Sequence, residues 1–263
     1  MSTHTSQAAV RQNHLLAAVP PRELDPLRAC FVRVQLARGQ VLADHDQPVD
    51  HALFMEHGAV SIVADCDGGG GVQVAMIGRE GVVGGLSRLG LRHHAFGKAV
   101  VQLPGVALRV AVPDLRRALD RSPALDEACT RFAHALVDQV VQTAACNARR
   151  SLVERCARWL VIAHDRVEGD DVRVTHEALS AMLGVRRAGV TVAAAALQQA
   201  GLIRASRGRL AVLDRAGLQD VARGAGLPAA PPAAAPAARA RPRAARPDVP
   251  RGGLRLPEHS AAF

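Results

Sequence analysis

Apolar and polar residues alternate in short runs from Phe31 onward, and beyond Pro113 the pattern changes to apolar residues three and four apart. Alternation with a period of two predicts strands at Val32, Val34 and Leu36, at Val41-Leu42, His51–Met55, Val60–Val63 and Val72–Met76, and again at Ala99–Leu103 and Val106–Val112. Gly39, Gly58, the Gly68–Gly71 run and Gly78 punctuate them. Short strands spaced by glycine turns predict a small antiparallel barrel or jelly roll. Upstream, Leu15–Val19 and Glu23–Leu27 flank Pro20-Pro21 and read as short helices, while Met1 to about Asn13 reads as a polar loose end.

The helical period starts after Pro113-Asp114 with a short helix at Leu115–Ala118. Ser122-Pro123 then opens a longer one, Ser as cap and Pro in the first turn. Leu125, Cys129, Phe132, Leu136 and Val140 form a seam along it, suited to pairing two parallel helices. Packing of that seam against the strands is the plainer alternative, and one helix can do both. Ser151–Val167 is a further amphipathic helix, whose Leu152, Cys156, Trp159, Leu160 and Ile162 can join two domains before Glu168-Gly169-Asp170-Asp171 breaks it.

The stretch Val174–Asp214 reads as a helix-turn-helix with a β-wing. Thr175 is a good N-cap with Glu177 in the first turn. Ala178, Leu179, Met182 and Leu183 give one buried face, Gly184 makes the turn, and Val185 plugs the angle. A second helix begins near Arg186, with Val190, Ala193, Ala194 and Leu197 inward. Its outer face carries Arg187, Ala188, Thr191, Val192 and Ala195, small side chains that let a helix sit deep in a groove. After Gly201, Leu202–Arg204 and Leu210–Leu213 flank the basic tip Ser206-Arg207-Gly208-Arg209. The candidate DNA-binding residues are Thr175, His176, Arg186, Arg187, Ala188, Thr191, Val192, Arg207 and Arg209, the arginines of the second helix reading guanine and those of the wing holding phosphates. An ordinary helical hairpin with a basic surface is the competing reading; cap, turn glycine, Arg pair and basic wing arriving in this order favour DNA.

THEALSAMLGVRRAGVTVAAAALQQAGLI followed by SRGRLAVLDRAGL resembles the C-terminal domain of the Crp/Fnr superfamily of bacterial transcription regulators, and the resemblance extends upstream to about His14. It implies an α+β fold: a jelly-roll-like cyclic-nucleotide-binding β-roll over residues 14–121, a dimerisation helix over 122–149, a winged helix-turn-helix over 150–222, and a disordered Ala/Pro/Arg tail over 223–263. It also implies a homodimer on a palindromic double-stranded operator, with RNA polymerase as a further candidate partner. Gly78, Arg79, Glu80 and Gly81 resemble the start of the family's phosphate-binding cassette and are the candidate effector-binding residues, with a salt-bridged surface role as the alternative for Arg79. The Arg-Ser or Arg-Thr pair of cyclic-AMP-binding members is replaced near Ala95-Phe96, so cyclic AMP is not the expected effector. The N-terminal cysteine group of iron–sulfur members is missing too. Arg187 matches a family residue that contacts bases, whereas the Glu and second Arg of the best-known members are Ala188 and Val192 here.

Composition refines this picture. Nearly half of the 263 residues are apolar but only 2% are aromatic, so Ala, Val and Leu must do the packing. The net charge of +9 suggests a polyanionic partner, although seven arginines against two acids lie from Arg223 onward. Cys30, Cys66, Cys129, Cys146 and Cys156 show no metal spacing, and an odd count without a signal peptide fits the reducing cytoplasm. No apolar run approaches the roughly 20 residues of a membrane span. The Gly68–Gly71 run, with no Lys-Ser/Thr after it, reads as a hairpin tip rather than a phosphate loop, and His93-His94 as a solvated loop rather than a metal site. No nucleophile–base pair, carboxylate pair or metal set stands out, so no catalysis, metal or cofactor is expected. A ligand-responsive module signalling through protein partners is the second functional class.

Overall fold

The computed structural model describes residues 7–44, 47–65, 70–84 and 97–227. His93-His94, Ala95-Phe96 and the tail from residue 228 lie outside the described residues. Three short helices lead in: α1 (Gln7–Gln12), α2 (His14–Ala17) and α3 (Pro21–Arg28). The expected loose N-terminus is therefore corrected for residues 7–13. Val10 joins the core, and fully buried Asn13 donates through Nδ2 to the carbonyls of Met55 (3.0 Å) and Gly81 (2.9 Å) while its Oδ1 caps α2.

The strands are β1 (Val32–Leu36), β2 (Val41–Ala43), β3 (His51–Asp65), β4 (Gly71–Ile77), β5 (Val82–Val83) and β6 (Lys98–Ala111). They form one antiparallel sheet in the order β1-β6-β3-β4, with β2 also on β6 and β5 also on β3. β1 takes the second half of β6 (Val32 opposite Arg109) and β2 its first (Val41 opposite Val100), so each long strand pairs with the other and with two shorter strands. Phe31 and Phe54 meet edge-to-face at 5.7 Å in the core of the roll.

Two pairs of expected strands are each a single strand. His51–Met55 and Val60–Val63 run together as β3, and Ala99–Leu103 and Val106–Val112 as β6. Gly58 and Gly105 mark facing bulges, not turns. Gly58 has φ +79°, and a Cβ there would lie 2.6 Å from the Leu103 carbonyl oxygen; one on Gly105 would overlap the His57 carbonyl. The glycine run does connect two strands, since Asp65 pairs with Gly71, though residues 66–69 lie outside the described ones.

Helix α4 (Val112–Arg121) leads to α5 (Pro123–Arg149), which starts as expected: Ser122 Oγ accepts from the Leu125 amide at 3.1 Å and donates to Glu23 of α3 at 2.5 Å. The apolar seam faces inward. Leu125, Phe132 and Leu136 are at most 8% exposed within this protomer's own core, with Cys129 and Val140 packed partly against it. The roll thus covers Leu125, Phe132 and Leu136 of the candidate dimer seam, while Cys129 and Val140 keep part of their surface open.

Helix α6 (Leu152–His164) begins in a reciprocal capping box between Ser151 and Glu154. The Ser151 backbone and side-chain hydrogen bonds hold the Glu154 carboxyl below its ordinary range. Cys156, Trp159 and Leu160 of α6 share a second core with Ala59, Met76 and Leu103 of the roll, as the sequence pattern implied. Gln73 ties the two parts, its Oε1 accepting from Ser61 Oγ (2.8 Å) and Trp159 Nε1 (3.1 Å). Burial pushes the Cys156 thiol up to about 12, so it packs as a neutral thiol.

Candidate nucleic-acid interface

Beyond α6, β7 (Asp171–Val172) leads into α7 (His176–Leu183) and α8 (Arg187–Gln199); β8 (Ile203–Ser206), β9 (Arg209–Val212) and α9 (Arg215–Arg223) follow. Thr175 Oγ1 caps α7 by accepting from the Ala178 amide at 3.1 Å. Gly184 ends α7 with φ +63°, and the chain bends by 108° into α8. That turn is also pressed against the roll, because a Cβ on Gly184 would lie 2.7 Å from the Val72 side chain. Arg155 of α6 donates to the Leu183 carbonyl, satisfying one of the acceptors that a helix end leaves open.

Helix α8 buries Val190, Ala193, Ala194 and Leu197, as its period requires. Arg186, Arg187, Ala188, Thr191, Val192 and Ala195 are all exposed, Val192 by 70%. A valine that open, on a helix otherwise fixed by its inner stripe, leaves an apolar spot on the outer face. His176 Nδ1 lies 3.1 Å from Thr191 Oγ1, which joins the starts of both helices into one polar surface. Arg187 Nε stands 3.8 Å from the Glu177 carboxylate, an exposed and weakly held pair.

The wing is a two-residue hairpin, Ser206 opposite Arg209, with Arg207-Gly208 at the turn and Gly208 at φ +72°. Arg207 stands exposed at the tip with no ion pair among the described residues. Arg209 differs from expectation. It sits within β9 and its Nη1 pairs with Asp171 at 2.9 Å, bracing β7 against the wing. Sequence reading also missed β7 itself and Gln198, whose Oε1 accepts the Ala205 amide at 2.7 Å and pins the wing to α8. The only sequence signal for β7 was the apolar alternation of Val172 and Val174.

Residues 154–221 match the profile of the Crp-like helix-turn-helix domain. This part of the chain is a Crp-like helix-turn-helix domain. No curated protein matches the chain. Among solved structures, a candidate Crp/Fnr-family transcriptional regulator from Eubacterium rectale aligns over 81% of this chain and 99% of its own, at 15% identity and a TM-score of 0.61. The c-di-GMP-responsive global regulator CLP of Xanthomonas campestris covers 73% and 99% at 16% identity and 0.60. A Crp/Fnr-family regulator from Thermus thermophilus covers 74% and 100% at 20% identity and 0.58. The roll, long helix and winged helix-turn-helix thus form the Crp/Fnr fold.

The cassette residues of the roll occupy the turn between β4 and β5. Gly81 donates to the Gly78 carbonyl at 3.1 Å, and the Gly78 amide donates to Glu80 Oε1 at 3.0 Å. Glu80 also takes Arg166 beyond α6, at 3.1 Å from Nε, and Phe132 fills the space a Cβ on Gly81 would need. Both glycine amides and the Glu80 carboxylate thus have partners within the protomer. Arg79 alone keeps a side chain without a protein partner among the described residues.

Proposed function

We propose that the chain is a homodimeric, sequence-specific DNA-binding transcription regulator of the Crp/Fnr type. The observation that carries this reading is the outer face of α8: small, exposed side chains flanked by Arg186 and Arg187, beside a basic wing tip. On this reading α8 enters the major groove, Arg187 takes a guanine edge, Ala188, Thr191 and Val192 meet thymine methyls, and Thr175, His176 and Arg207 face the backbone.

The dimer uses a face of α5 other than the one its strongest apolar seam suggested. Thr130, His134, Val137, Val141, Ala144 and Ala148 are all exposed and follow one another by steps of four and three. That spacing is the heptad seam of a parallel helix pair. Val137 and Val141 are 47% and 57% exposed, the most open large apolar residues of the helix, and a second copy of the same helix covers them. A two-fold axis along α5 gives two recognition helices related by symmetry, and hence an inverted-repeat operator. Cyclic AMP is not the effector on this reading, because Ala95-Phe96 stands where the cyclic phosphate would need an Arg-Ser or Arg-Thr pair.

Selection from a random duplex library with the full chain tests this directly. The expected product is an inverted repeat whose half-sites lie about 10 bp apart or a multiple of that. Recovery of unenriched sequence would sink the proposal.

A further inference from the structure

Arg79 opens into a cleft of about 360 Å³ that the roll and the approach to the helix-turn-helix line together. Leu103, Pro104 and Val167 form its apolar wall, and Arg79, Arg166 and Arg173 give it three guanidinium groups. Of its two acids, Asp171 is paired with Arg209 at 2.9 Å, and the largely exposed Glu168 lies 3.3 Å from His57 Nδ1. Arg166 is held by Glu80. Arg79 and Arg173 have neither an ion pair nor a side-chain hydrogen bond to any described residue, although Arg79 is half-buried. A half-buried arginine without a carboxylate, sharing a cleft with an exposed second arginine that is also unpaired among the described residues, is a composition suited to a small anion. The volume falls near the lower end of small-molecule sites, which run from roughly 300 to 1,000 Å³.

We infer that this cleft binds a small phosphate monoester, its dianion held between Arg79 and Arg173 and its carbon body lying on Leu103, Pro104 and Val167. The planar fork of each guanidinium offers paired N–H donors to phosphate oxygens, and the low-dielectric wall strengthens both contacts. A bare phosphate uses the arginines but leaves the apolar wall wet, so the ester is the better ligand. No residue of α8 lines the cleft, so a ligand there can be sought in the absence of DNA.

The test is calorimetric titration of the full chain, without DNA, using glycerol 3-phosphate, inorganic phosphate and glycerol. One saturable site per protomer is expected for glycerol 3-phosphate, with weaker phosphate and no glycerol binding. Neither Arg79 nor Arg173 makes an internal bond that substitution would break, so Arg79→Gln and Arg173→Gln are expected to stay folded by circular dichroism. Each is expected to weaken the ester about ten- to hundredfold, the range of a lost charge-assisted contact. Arg22→Gln, an exposed arginine on α3, is the control for general surface charge and is expected to change nothing. Absence of a saturable site, equal binding of glycerol, or equal weakening by Arg22→Gln would overturn the inference. So would Arg173→Gln that weakens duplex DNA binding and leaves the ester untouched, since Arg173 would then serve the nucleic acid.

Discussion

Leu136→Asp is expected to unfold the protomer, whereas Val137→Asp, one residue on, is expected to leave it folded and split the dimer. Leu136 is 5% exposed inside the core of the roll. Its removal alone forfeits about 2–5 kcal/mol, and a carboxylate without a partner at that site adds more. Against a net stability of roughly 5–15 kcal/mol, most or all of the folded population goes. Val137 is 47% exposed, and surface changes of this kind cost within about 0.5 kcal/mol. In a parallel pair, however, the two introduced carboxylates face each other across the seam. Operator affinity then drops about a hundredfold or more, because the second half-site is no longer delivered by the first. Sedimentation, thermal melting and operator titration of both variants separate the outcomes. A Val137→Asp protein that sediments and binds like the parent would place the interface elsewhere.

Arg187→Ala and Arg207→Ala are expected to fail in different ways. Arg187 stands at the start of α8 with only a 3.8 Å contact to Glu177 to give up, so its guanidinium is available to a base. Its loss costs about 1–3 kcal/mol on the selected site and relaxes preference at one symmetric base pair per half-site. Arg207, exposed at the turn of the wing, is expected to meet phosphate alone. Arg207→Ala weakens all sequences alike and lowers the salt dependence by about one phosphate per subunit. Arg209→Ala has a smaller direct effect on DNA, since its charge is shared with Asp171. Affinities across single-base operator variants at several salt concentrations check all three. Uniform weakening by Arg187→Ala, with altered base preference in Arg207→Ala, would reverse the assigned docking.

The helix-turn-helix was legible in the sequence because its determinants are local. The Thr175 cap, the positive-φ Gly184 and the inner stripe of α8 each act within a few residues of themselves. The strands were legible in position but not in continuity, since Gly58 and Gly105 look like turns until the backbone opposite each is known. Helix α5 carries two stripes, and the sequence marks the greasier one, Leu125 to Val140. Which stripe meets the roll depends on how the helix docks, and a helical period does not encode that. Glu80 with Arg166, and Arg209 with Asp171, join residues far apart in the chain. Both contacts give internal partners to residues whose types had suggested ligand and phosphate binding.

The most direct measurement of the central claim uses the selected inverted repeat with about five base pairs, half a helical turn, inserted between its half-sites. A rigid two-fold dimer built on α5 presents its two α8 helices to one face of the duplex. Affinity of the full chain for the lengthened site is therefore expected to fall to that of a single half-site, and to recover when about ten base pairs are inserted. Binding that stays undiminished at half a turn would contradict a symmetric dimer reading both half-sites at once.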